Sequence, residues 1–112
     1  MKNDTITING QTFRIEFNWN ATCDFLEREN IQLRDFDSLD NLSWKQVTSL
    51  IYSGVKEGAR LENKPFDFSL IDFGAALNNK TVGDLLVVYK RQSQSDAMKQ
   101  EASKKKWFPI LR

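Results

Sequence analysis

The chain has 112 residues, 40% hydrophobic and 28% charged, the composition of one globular domain with one core and not of a disordered segment. One cysteine and no histidine exclude an internal disulfide, a multi-cysteine zinc site and any imidazole-based triad or metal ligand, so neither catalysis nor a cofactor is expected. The net charge of +1 hides an asymmetry: residues 1–40 hold four basic and eight acidic residues, net −4, whereas residues 81–112 hold seven basic and three acidic, net +4.

The first element is a β-hairpin. In TITINGQTFRIEF, Ile6 and Ile8 alternate with threonines, and Phe13, Ile15 and Phe17 alternate with Arg14 and Glu16. Asn9-Gly10 stands where a two-residue turn needs positive φ. A lone hairpin is marginal in water, so its apolar face must pack on helices. NWNATCDFLEREN follows as a first helix, capped by Asn18 or Asn20. Trp19, Thr22, Cys23 and Leu26 share its expected apolar stripe, with Cys23 as a small core residue. The acidic, turn-like IQLRDFDSLDNL then anchors itself through Ile31, Leu33, Phe36, Leu39 and Leu42. Its DFDSLD run lacks the glycine and the terminal glutamate of a calcium loop.

SWKQVTSLIYSGVKEGAR is the clearest helix, with Ser43 and Gln46 spaced as a capping box. Trp44, Val47, Thr48, Ile51, Val55 and Ala59 form its expected apolar face. Gly54 and Gly58, four apart, each cost about 1 kcal/mol of helix propensity against alanine. Their expected return is close approach of a second backbone, either within the domain or from another copy or partner. Pro65 ends any helix, and Phe66 and Phe68 alternate with Asp67 in an extended stretch. A short helix starting at Ser69 runs through Leu70, Phe73, Ala76 and Leu77 to Asn78-Asn79, and a last helix capped by Thr81 carries Val82, Leu85, Leu86 and Tyr89. The expected architecture is therefore α+β and mainly helical, a hairpin packed on a small bundle of about four helices over residues 1–91. Residues 92–112 form a polar, basic extension.

That extension ends in SKKKWFPILR. Trp107, Phe108, Ile110 and Leu111 are apolar anchors behind Lys104, Lys105 and Lys106. They are expected either to insert into a partner groove or to fold back on the domain. The basic residues with two aromatics also suit nucleic acid, but the acidic N-terminal half and the pI of about 7.8 argue against it. No apolar run nears the roughly 18 residues of a membrane helix, and MKNDTITING lacks a signal-peptide core, so a cytoplasmic location is expected.

Two stretches carry a family resemblance. ITINGQTFRIEFNWNAT and LSWKQVTSLIYSGVKEGARLENKPFDFSLIDFGAAL resemble small tail assembly chaperones of long-tailed bacteriophages. The matching pieces are Ile8-Asn9-Gly10, Phe13, Phe17, Leu50-Ile51-Tyr52, Gly54, Lys56 through Arg60, and Phe68 through Phe73, across about residues 5–90. These are packing motifs, not catalytic ones. The resemblance implies a non-catalytic holdase for the tail tube and tape measure proteins, acting in the host cytoplasm and missing from the finished virion. It also implies that a longer frameshifted product can exist, for which the Lys104–Lys106 codons are a candidate site. The chain departs from the family pattern after Arg91. The alternative expectation is a small nucleic-acid-binding or regulatory domain working through the basic tail.

Overall fold

The structure, a computed structural model, describes residues 4–36 and 39–93. It is α+β and mainly helical, an antiparallel hairpin on four α-helices among the described residues. β1 (Thr5–Ile8) and β2 (Gln11–Arg14) pair with Ile6 opposite Phe13 and Ile8 opposite Gln11. Asn9 and Gly10 supply the predicted turn with φ of 50° and 81°. Because side chains alternate along a strand, Ile6, Ile8, Phe13, Ile15 and Phe17 all reach one face, and all are buried.

α1 (Trp19–Glu29) starts at Asn18, whose side chain accepts from the Ala21 N–H. It ends at Asn30 in the left-handed conformation, with Asn30 N–H on the Glu27 carbonyl and Ile31 N–H on the Leu26 carbonyl. α2 (Trp44–Leu61) opens with the predicted capping box: Ser43 Oγ accepts from Gln46 N–H and Gln46 Oε1 accepts from Ser43 N–H. It closes in the same way as α1, with Asn63 left-handed and Lys64 N–H on the Ala59 carbonyl. Two single 3-10 turns, Leu33–Asp35 and Leu39–Asn41, lie between α1 and α2. α3 (Leu70–Ala75) is capped by Ser69. α4 covers residues 79–93, and its cap is Asn78, not Thr81: Asn78 Oδ1 accepts from the Thr81 N–H and hydroxyl.

α2 is the central element, with α1, β2 and α3 all packed against it. Leu50, Ile51, Val55 and Ala59 on α2 meet Phe13 and Ile15 of the hairpin, Phe25 of α1, Phe73 of α3 and Leu85 of α4 in one core. The extended stretch before α3 lays Phe66 and Phe68 edge-on to Phe13, and the Tyr52 hydroxyl donates to the Phe68 carbonyl at 2.7 Å.

The two glycines of α2 fit the hairpin. A Cβ on Gly58 would overlap the Arg14 carbonyl, and one on Gly54 would enter the Phe17 ring. Glu16 N–H donates to the Gly54 carbonyl at 3.0 Å, a direct bond from the segment leaving β2 to the helix that only such close approach permits. The domain's own hairpin therefore occupies both glycines, which corrects their reading as a surface for another chain.

Both apolar stripes also need correcting. Trp19 is 62% exposed, and the buried face of α1 is Ala21, Phe25 and Leu26, with Cys23 half-buried. Trp44 is 75% exposed although it is in phase with Val47 and Ile51. Each tryptophan is the first residue of its helix. Side chains lean toward a helix N-terminus, so the first one overhangs the end with little beneath it.

The last turns of α4 tie down the hairpin's exit. Phe17 N–H donates to Gln92 Oε1 at 2.8 Å, and Gln92 Nε2 donates to Asp4 Oδ2 and to the Ile15 carbonyl. Arg91 pairs with Asp4, and Tyr89 stacks edge-on to Phe17. Gln92, assigned by sequence to the extension, is thus fastened to the domain.

Candidate surface for protein docking

The extreme exposure of Trp44 marks the candidate site. Two hollows flank its ring. One, about 520 Å3, runs between α2 and α4 over Thr48, Val82 and Gly83. The other, about 400 Å3, lies over Leu39, Leu42 and Lys90. Trp44, Val47 and Leu86 line both, so the two hollows are neighbours on either side of these residues, the first mainly apolar and the second edged by Asp40 and Lys90. A large ring left in water between apolar walls is a mark of a contact surface. A single hollow of about 410 Å3 occurs at the other exposed tryptophan, bordered by Trp19, Cys23, Leu26 and Leu33.

A wider hollow of about 670 Å3, between α1 and the C-terminal half of α2, is built differently. Its two carboxylates, Asp24 and Glu57, are already paired. Arg28 donates to Asp24 Oδ2 at 2.7 Å, to Ser49 Oγ at 2.8 Å, to the Ser49 carbonyl at 2.7 Å and to Ser53 Oγ, and it sits 5.0 Å over the Tyr52 ring. Ser49 and Ser53 are fully buried, so Arg28 is what hydrates them in place of water. Burial pushes the Asp24 carboxyl up, but hydrogen bonds from Arg28 and Ser53, with the Arg28 and Lys56 charges, outweigh it and hold the pKa below the usual carboxylate range. This cluster binds α1 to α2 and leaves little to offer a ligand.

Glu57 does the same one turn on. The Arg60 guanidinium donates to both carboxylate oxygens at 2.7 Å, and Asn18 and Asn20 amides donate to Oε2. The carboxylate also faces the N-terminus of α1, where the helix dipole favours negative charge. The Arg60 hydrogen bonds, opposed by burial and reinforced by Asn18 and Asn20, lower its pKa from 4.5 to about 2. A depressed folded-state pKa gives stability that is complete above the unfolded value and lost as pH falls through the folded one. Glu57 is therefore expected to contribute about 1–2 kcal/mol near neutrality, because solvent around Arg60 screens the pair. That contribution should fade between about pH 5 and pH 2. Urea titrations across this range should show a flatter stability profile for Glu57→Gln than for the parent chain.

Of the residues singled out in the sequence, Gly54 and Gly58 lie under the hairpin. Lys104, Lys105, Lys106, Trp107, Phe108, Ile110 and Leu111 lie outside the described residues. Sequence reading missed Trp44 as a surface residue because helical phase alone placed it in the core; its position at the helix start was the available signal. No helix among the described residues is long and apolar enough to cross a membrane. No protein-family model, curated protein or solved structure matches the chain.

Proposed function

We propose that this chain is a non-catalytic chaperone of phage tail assembly, which holds apolar assembly segments of the tail tube or tape measure protein in the groove around Trp44. It works in the cytoplasm of the bacterial host and is left out of the finished virion. The observation that carries this reading is a tryptophan 75% exposed between two hollows that share the apolar walls Val47 and Leu86. The sequence resemblance supplies the class of client. Assembling tube subunits expose edges and apolar faces that associate too early unless covered. Covering them calls for apolar area and reversibility, which a shallow groove provides without any chemistry.

The test is co-expression with the tail tube and tape measure proteins of the same phage, read by size-exclusion chromatography with light scattering. The parent chain is expected to co-elute with a client. Trp44→Ala, which removes an exposed ring and should leave the fold intact, is expected to weaken binding about tenfold or more. Trp19→Ala should leave it within about twofold. Failure of the parent chain to bind or solubilise either client overturns the chaperone reading. Binding to nucleic acid that falls steeply with salt would replace it.

A further inference from the structure

The two edges of the hairpin are treated differently. Ile15 N–H donates to the Asp4 carbonyl at 2.8 Å, and bonded pairs alternate with unbonded ones along an antiparallel ladder. Ile6–Phe13 and Ile8–Gln11 are therefore bonded pairs, whereas Thr5–Arg14 and Thr7–Thr12 are not. The main-chain groups of Thr12 and Arg14 point outward from β2, and those of Thr5 and Thr7 point outward from β1. The β2 side is covered by α2 and the turn after it: Lys64 Nζ donates to the Thr12 carbonyl at 2.7 Å, the Arg14 carbonyl lies against Gly58, and Glu16 N–H reaches the Gly54 carbonyl. On the β1 side, Thr5 and Thr7 are exposed, and among the described residues nothing bonds to their outward N–H and C=O groups.

We propose that β1 pairs edge to edge with β1 of a second copy, antiparallel about a two-fold axis at Ile6. Thr5 of one copy then faces Thr7 of the other, twice, and each of these pairs exchanges two hydrogen bonds. All four outward groups of β1 are used. An axis at Thr5 would set Thr7 against Asn3, outside the strand, and an axis at Thr7 would set Thr5 against Asn9, which has φ of 50° in the turn.

The side chains suit this register. On the exposed face Thr5 of one copy stands beside Thr7 of the other, extending the row in which Thr7 Oγ1 and Thr12 Oγ1 lie 3.0 Å apart, and threonine pairs favour cross-strand contact. On the opposite face Ile6 meets Ile6. TITI carries no charge, proline or bulge of the kind that blocks an edge. The nearest charge, Asp4, is held by Arg91 and Gln92 of its own chain. It falls opposite Ile8 of the other copy, about 14 Å from the second Asp4.

The strand's one protection is its shortness. Four residues pair over about 13 Å, well below a standard interface, so the dimer is weak and reversible, with Kd expected at about 0.3 mM.

The inference does not rest on the chaperone reading, and no client enters its test. Amide hydrogen exchange and sedimentation of the full chain are followed from about 0.05 to about 1 mM. The Thr5 and Thr7 N–H groups are expected to exchange about two- to threefold more slowly at the upper end, in step with dimer formation. Ile6 and Ile8 N–H groups, already bonded to β2, should not change. Thr7→Pro removes one outward N–H and leaves the hairpin's own bonds in place. Thr5→Lys/Thr7→Lys keeps the backbone and sets like charges opposite each other. Both variants are expected to stay monomeric at about 1 mM, with retained protection at Ile6 and Ile8 showing that the hairpin is folded. A chain that stays monomeric with unchanged Thr5 and Thr7 exchange overturns the proposal. So does equal protection at every concentration, which would mean that the chain covers its own edge. A dimer that persists in the folded variants overturns it as well, because the contact then lies elsewhere.

Discussion

Alanine in place of Gly58 is expected to lower the stability of the domain by about 3 kcal/mol, despite a gain of about 1 kcal/mol in helix propensity. The new methyl group would overlap the Arg14 carbonyl, which is backbone and cannot rotate away as a side chain can. The hairpin must lift, and lifting it strains the Glu16–Gly54 hydrogen bond and unseats Ile15 and Phe17 from the core. Gly83→Ala is the matched control. Gly83 also lies in a helix, but nothing stands within 4 Å of an added Cβ. It should stabilise by about 0.5–1 kcal/mol. Urea midpoints at unchanged slope measure both effects. A neutral Gly58→Ala would mean that the hairpin does not pass over α2 where it is described.

Arg28→Ala is expected to cost about 3 kcal/mol, a large effect for a partly exposed residue. Ser49 and Ser53 are buried and would lose their guanidinium partner. Asp24 would be left where burial raises its pKa and only Ser53 and a more distant Lys56, at 3.4 Å, oppose that. Arg28→Lys should recover less than half of the loss, because an ammonium cannot reach Asp24, Ser49 and Ser53 with one planar fork. Adding Asp24→Asn to Arg28→Ala should restore part of the stability, since it removes the unpaired charge. A double-mutant cycle in urea reads this coupling. Additive losses would show that Arg28 and Asp24 act separately.

Elements defined by local patterns were legible in the sequence. Alternation and Asn9-Gly10 specified the hairpin, Ser43 and Gln46 specified the start of α2, and the Phe66–Asp67–Phe68 alternation specified which rings turn inward. The two spaced glycines announced a close approach without saying what approaches. Phase failed at helix starts, where Trp19 and Trp44 match the core stripe but overhang the helix end. It also passed over Phe25, which is fully buried in the core of α1. Apart from the Asp24–Arg28 pair, four residues apart on α1, the Arg28 cluster and the Gln92 clamp had no local signature, because their other partners are 21 to 88 residues away in the chain. Of the candidate surface, the apolar residues of α2 and α4 were visible, but the hollows between them depend on how two helices cross.

The clamp at Gln92 also fixes an order of events at the ribosome. The hairpin is made first, yet the side chain that meets the Phe17 N–H comes 75 residues later. At 5–20 residues per second the hairpin waits about 4–15 s for that partner, covered meanwhile only by α1 and α2 as they emerge. The whole of SKKKWFPILR is synthesised after Gln92. Translation thus completes the described part of the domain, clamp included, before that stretch is made.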